Sequence, residues 1–73
     1  MLADGTYDVF VVDAAADGEP GTLRLDLTVL AGDQKGEVVT MRAEGLGLGE
    51  LEALGLPGTL TVRDGQPSLA LEP

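Results

Sequence analysis

The chain has 73 residues, 44% of them hydrophobic, and its thirteen acidic and four basic side chains give a formal net charge of −9. A chain this short makes one domain, residues 1–73, with a core near the lower limit for folding without staples, since it buries only about 60% of its unfolded surface. It contains neither cysteine nor histidine, which removes disulfides, thiolate metal sites and imidazole chemistry, and its charge disfavours nucleic acid and anionic membranes as partners.

The chain is nevertheless patterned enough to fold, because its apolar residues fall in periodic runs. No apolar run approaches the ~18 residues of a membrane span, and no basic-then-apolar leader opens the chain. Lack of cysteine fits a reducing compartment. The expectation is a soluble, cytoplasmic protein that makes no membrane contact.

The first predicted strand runs from Thr6 to Val12 or Asp13. Tyr7, Val9 and Val11 form one face, and Phe10 and Val12 make the other apolar as well. A strand apolar on both faces is expected to be covered twice. Ala14 to Gly21 reads as a loop, with Asp17-Gly18 and Pro20-Gly21 as successive turn signals.

Leu23 to Ala43 carries the strongest pattern, a long β-hairpin. Leu23, Leu25, Leu27 and Val29 alternate with polar residues; the alternation resumes after Gly32–Gly36 with Val39, Met41 and Ala43. The preferred register sets Leu27 opposite Met41 and Val29 opposite Val39. It also pairs Asp26 with Arg42, Arg24 with Glu44 and Thr28 with Thr40 on the outer face, at roughly 0.2–1 kcal/mol per favourable pair.

Between Gly45 and Gly58, Leu48, Leu51 and Leu54 recur at spacings of three, followed by Gly55 and Pro57. This predicts a helix of one to two turns with a glycine stop, its leucines plugging the open end of a curled sheet. The final unit is a hairpin. Asp64-Gly65 is a two-residue type I′ signal, and the register it sets pairs Arg63 with Gln66, Val62 with Pro67 and Leu60 with Leu69. Pro67 then sits where its missing N–H costs the ladder nothing.

Five antiparallel strands with one short helix between strands three and four match the arrangement of the OB-fold barrel. An SH3-like barrel, whose helical turn normally separates the last two strands, fits less well. The first half also resembles the small OB-fold single-stranded-DNA-binding proteins of phages and plasmids. The residues that carry the resemblance are Tyr7, Val9, Val12-Asp13-Ala14, Leu23 to Val29, and Gly32 through Lys35-Gly36 to Val38. The resemblance implies ligand contact on the outer hairpin face. Where those proteins carry aromatic residues on that face, this chain has Thr28, Leu30, Val38 and Thr40.

Arg24, Lys35, Arg42 and Arg63 are the four cations, and all are expected to border the face that OB-folds use for oligomers. Against a nucleic-acid role, Arg24 and Arg42 have Glu44 and Asp26 as expected neighbours. Single-strand binding also needs stacking platforms worth about 1–3 kcal/mol per base, and Tyr7 and Phe10 are assigned to the core. Asp13, Asp17, Gly18 and Glu19 lack the carboxylate spacing of a calcium loop, with Ala15 and Arg24 at the required positions. Gly45-Leu46-Gly47-Leu48-Gly49 fails as a dinucleotide loop because Glu50 stands where a third glycine belongs. Ser68 has no base partner, so no catalytic, cofactor or metal residues are assigned.

The leading reading is therefore a non-catalytic binding or assembly module. Its partner is another protein or a second copy, bound through Arg24, Thr28, Leu30, Lys35, Val38, Thr40, Arg42 and Arg63. Weak single-stranded nucleic-acid binding across the same face is the alternative, disfavoured by charge.

Overall fold

The computed structural model describes residues 2–72. Its elements are β1 (Gly5–Ala16), β2 (Thr22–Val29), β3 (Val38–Glu44), α1 (Glu50–Ala53), β4 (Pro57–Arg63) and β5 (Gln66–Leu71). The strands form one antiparallel sheet in the order β3-β2-β1-β4-β5, curled into a half-barrel with an OB-like arrangement. The helix falls between strands three and four, as the sequence predicts.

β1 is the spine. It pairs with β4 from Gly5 to Phe10 and with β2 from Val9 to Ala16, so one strand of twelve residues serves both halves of the sheet. It is longer than expected, because the Ala14–Ala16 stretch read as loop continues the ladder opposite Leu25, Arg24 and Leu23. The ladder shifts between Val11 and Asp13, leaving Val12 as the extra residue of a bulge. Bulges sharpen local twist, and this one lies where the sheet changes partner. It also resets the alternation, so that Ala14 rather than Asp13 packs against the core.

The inner face holds Val9, Val11, Leu25, Leu27, Val29 and Leu60, all with essentially no exposed surface. Burying each such side chain is worth about 1.5–3 kcal/mol, and these six come from β1, β2 and β4. The outer face of β1 is not covered a second time. Phe10 and Val12 are exposed, which corrects the placement of Phe10 in the core. Tyr7 stays half-buried against the core, and its hydroxyl donates to the Ala3 carbonyl.

The β2–β3 register differs from expectation by two residues. Leu27 faces Val39, Leu25 faces Met41, Asp26 faces Thr40, Thr28 faces Val38, and Arg24 stands opposite Arg42. The cause lies in the loop. The Val29 N–H donates to the Glu37 carbonyl (3.0 Å) while the Gly36 N–H donates to the Val29 carbonyl (2.9 Å). Two residues thus oppose one, with Gly36 at φ 90°, a conformation that suits glycine. The outer face adapts without the expected charge pairs: Thr40 Oγ1 donates to Asp26 Oδ1 (2.7 Å), and Arg42 Nε meets Asp17 Oδ2 (2.7 Å).

The helix is a single turn. Glu52 Oε1 accepts the Gly49 N–H (3.1 Å) at its start. Its end is fastened to β1, where the Gly55 N–H donates to the Val11 carbonyl (2.9 Å) and the Val11 N–H to the Leu56 carbonyl (3.0 Å). That anchor aims Ala53 into the core and leaves Leu51 86% exposed and Leu54 exposed. The expected leucine plug is therefore an alanine plug, supported by half-buried Leu46 and Leu48.

The β4–β5 hairpin follows expectation throughout, with Arg63 opposite Gln66, Val62 opposite Pro67 and Leu60 opposite Leu69. Asp64 and Gly65 have φ values of 53° and 76°, as a type I′ turn requires. Among the described residues no helix is long and apolar enough to cross a membrane.

Candidate functional site

The outer face of β1–β3 brings together only part of the residue set expected there. Thr28 lies beside Val38 on one side and Phe10 on the other, and Phe10 lies beside Pro57 of β4. The result is a cross-strand row, Pro57–Phe10–Thr28–Val38, in which Val38 is 60% exposed and Phe10 and Pro57 are also open to solvent. Leu30 extends the row. Its N–H donates to the Asp8 carbonyl (2.8 Å), which continues the β1–β2 alignment past the end of β2 and holds an exposed leucine on the same face.

The cations do not share one site. Arg24 and Arg42 stand side by side toward the end of β1 marked by Ala15, with Arg42 occupied by Asp17. Lys35 is in the Leu30–Glu37 loop, and Arg63 follows Val62, which pairs with Gly5 at the other end of β1. Both members of the Arg42–Asp17 pair are well exposed, so the pair is worth at most about 1 kcal/mol.

Phe10 is the residue that sequence reasoning misplaced, although a signal was present. It is out of phase with Tyr7, Val9 and Val11, the residues that face the core. In the sequence Pro57 signals only the end of the helix; in the fold it is the β4 neighbour of Phe10 on this face.

A second feature lies at the seam where the half-barrel stays open. A groove of about 320 Å³ runs between β3 and the β4–β5 hairpin, lined by Val38, Val39 and Thr40 on one side and by Leu60, Val62, Gly65 and Pro67 on the other. Leu2 also lines it, and among the described residues Glu37 is the one charged member of the lining. Beside it, Asp4 fixes the β4–β5 turn: its carboxylate accepts the N–H groups of Asp64 (2.9 Å) and Gly65 (3.3 Å). Sequence reasoning had no pattern for this contact, which depends on β1 lying next to β4. Asp13 is likewise engaged locally, accepting the Ala14 N–H (3.0 Å), and among the described residues no group of three potential metal ligands gathers.

Fold and surface together define a class: a small, acidic, antiparallel half-barrel with OB-like strand order, an apolar outer row and an open seam. Comparison with protein-family models, with curated proteins and with solved structures finds no match.

Proposed function

We propose that the protein is a non-catalytic association module, binding a protein partner or a second copy of itself through the outer face of β1–β3. The observation that carries this reading is the Pro57–Phe10–Thr28–Val38 row with Leu30 beside it. Exposed aliphatic and aromatic residues grouped on one sheet face are a feature of interaction surfaces. A specific interface takes about 800 Å² per partner of a total surface of 4617 Å². It would therefore extend beyond Phe10 across the hairpin.

Light scattering across a concentration series is the test. Mass is expected to rise with concentration, or with an added partner recovered by pull-down, and the Phe10→Glu/Leu30→Glu variant is expected to abolish the rise. A strict monomer with no recovered partner would overturn the reading.

Phe10 also favours a second reading, single-stranded nucleic-acid binding, which the resemblance to the phage and plasmid proteins suggests. An exposed aromatic on this face offers a stacking platform, with Arg24, Lys35, Arg42 and Arg63 spread along the sheet rather than gathered around it. Anisotropy of labelled oligonucleotides should then show binding that falls steeply with salt. No signal at low salt and high protein concentration removes this reading.

A further inference from the structure

The geometry points to the open seam as a second binding site, meeting the outer face at Val38 but not including Phe10 or Leu30, which takes up an extended basic peptide segment as a sixth strand between β3 and β5. The argument begins with strand direction. β3 is antiparallel to β2 and β2 to β1, so β3 runs parallel to β1; by the same count through β4, β5 also runs parallel to β1. The two free edges therefore point the same way. Closing them on each other would require a parallel pair, whereas one added strand running opposite to both completes an antiparallel circuit.

The backbone is positioned for this. Leu27–Val39 and Leu25–Met41 are the hydrogen-bonded pairs, as the Val29–Glu37 bond sets the phase. Val38, Thr40 and Arg42 accordingly direct their N–H and C=O groups away from β2, into the seam. On β5 the corresponding residues are Pro67, Leu69 and Leu71, since Arg63–Gln66 closes the turn as a hydrogen-bonded pair. Pro67 blunts its end of that edge, and the β3 edge has no such block.

Side chains select the occupant. Half-buried Val39 and exposed Pro67, with the largely buried Leu2 and Val62, line the groove with apolar surface, which calls for apolar residues at alternate positions of the incoming strand. Glu37 lines the end where β3 and β5 begin, and Asp4 and Asp64 meet at the β4–β5 turn of that same end. Among the described residues, the cations there are Lys35, in the loop before Glu37, and Arg63, exposed at the end of β4. An antiparallel occupant places its own C-terminal end beside these carboxylates, so its basic residues belong there. A second copy of the chain would bring another nine net negative charges and is disfavoured as the occupant.

The test uses a synthetic peptide matched in length to β3, alternating valine with threonine and ending in two lysines. Amide hydrogen exchange of the full chain is followed by NMR. Binding is expected to protect the Val38, Thr40 and Leu69 amides. Thr40→Pro, which removes a seam-facing N–H and the Thr40–Asp26 side-chain bond but no backbone bond of the β2 ladder, is expected to weaken binding about tenfold. Val38→Pro is the substitute if that variant does not fold. Phe10→Glu/Leu30→Glu is expected to leave peptide affinity unchanged, which separates failure here from failure of the outer-face reading. The inference is overturned if millimolar peptide does not bind, if shifts are confined to Phe10 and Leu30, or if N-methylated or glutamate-ended peptides bind equally well. Protection of the same amides without peptide, together with a doubled mass, would assign the seam to a second copy and also overturn it.

Discussion

The two sequence-adjacent hairpins differ in what fixes their register. β4–β5 is joined by two residues, Asp64 and Gly65, whose left-handed backbone leaves one way for the strands to meet. β2–β3 is joined by the Leu30–Glu37 segment, and its pairing is set inside that loop by the bulge of Gly36 and Glu37 opposite Val29. Cross-strand charge pairs, each worth a few tenths of a kcal/mol on an exposed face, do not override it. Arg24 therefore ends beside Arg42, and Arg42 turns to Asp17 instead. A short turn dictates its strands; a long one conceals the rule.

The sharpest way to break the comparison is through the core that both hairpins share. Leu27→Ala and Leu60→Ala should each cost about 2–5 kcal/mol, a large share of the roughly 4–11 kcal/mol expected for a domain of this size. Urea unfolding should show one transition for both variants; two separate transitions would mean that the hairpins fold as independent units.

Gly58→Ala is next. A Cβ there would lie 2.7 Å from the Ala70 carbonyl and 2.9 Å from Leu71 Cδ2, so β5 must shift, at about 1–3 kcal/mol. Thermal melting should record that loss, and the Gly58–Leu71 end of the β4–β5 ladder should show the largest amide shifts.

Gly36→Val and Gly65→Val compare the turns directly. Each forces a side chain into the left-handed region at about 1–2 kcal/mol. The first should also weaken the Hα–Hα contact between Thr28 and Val38, while the second leaves it intact. Equal loss of that contact in both variants would contradict a register set by the Gly36 bulge. The smallest effect belongs to Asp17→Ala, which removes an exposed ion pair and should cost under about 1 kcal/mol. A larger loss by chemical denaturation would show that Arg42 needs its partner to tolerate Arg24.

The fold was legible where local chemistry and burial agree. The leucine row of β2 and the Asp64-Gly65 turn carry their own instructions. Less was legible where a residue's surroundings come from distant segments. Phe10 and Val12 mark β1 as apolar on two faces, yet whether the second face is covered depends on what the remaining chain supplies, and among the described residues no second layer packs over them, leaving both exposed. Leu48, Leu51 and Leu54 suggest a buried stripe, but a one-turn helix takes its orientation from its anchor at Val11, and that anchor selects Ala53. The candidate face was half legible: Thr28, Leu30 and Val38 lie on it together, while the cations that seemed to frame it are distributed along the sheet.

Among the described residues, the Asp4 carboxylate makes the longest-range side-chain hydrogen bonds, reaching amides sixty and sixty-one positions away. Those two protons belong to a turn that its own strands can form locally, but their acceptor arrives only after β1 has docked on β4. Closing so long a loop is entropically costly and slow. Exchange at the Asp64 and Gly65 amides should therefore report completed assembly of the sheet rather than formation of the hairpin. A chain trapped with β4–β5 paired and β1 undocked would leave those two protons unprotected, together with the amides of the β1–β4 ladder, while the β4–β5 ladder stays protected.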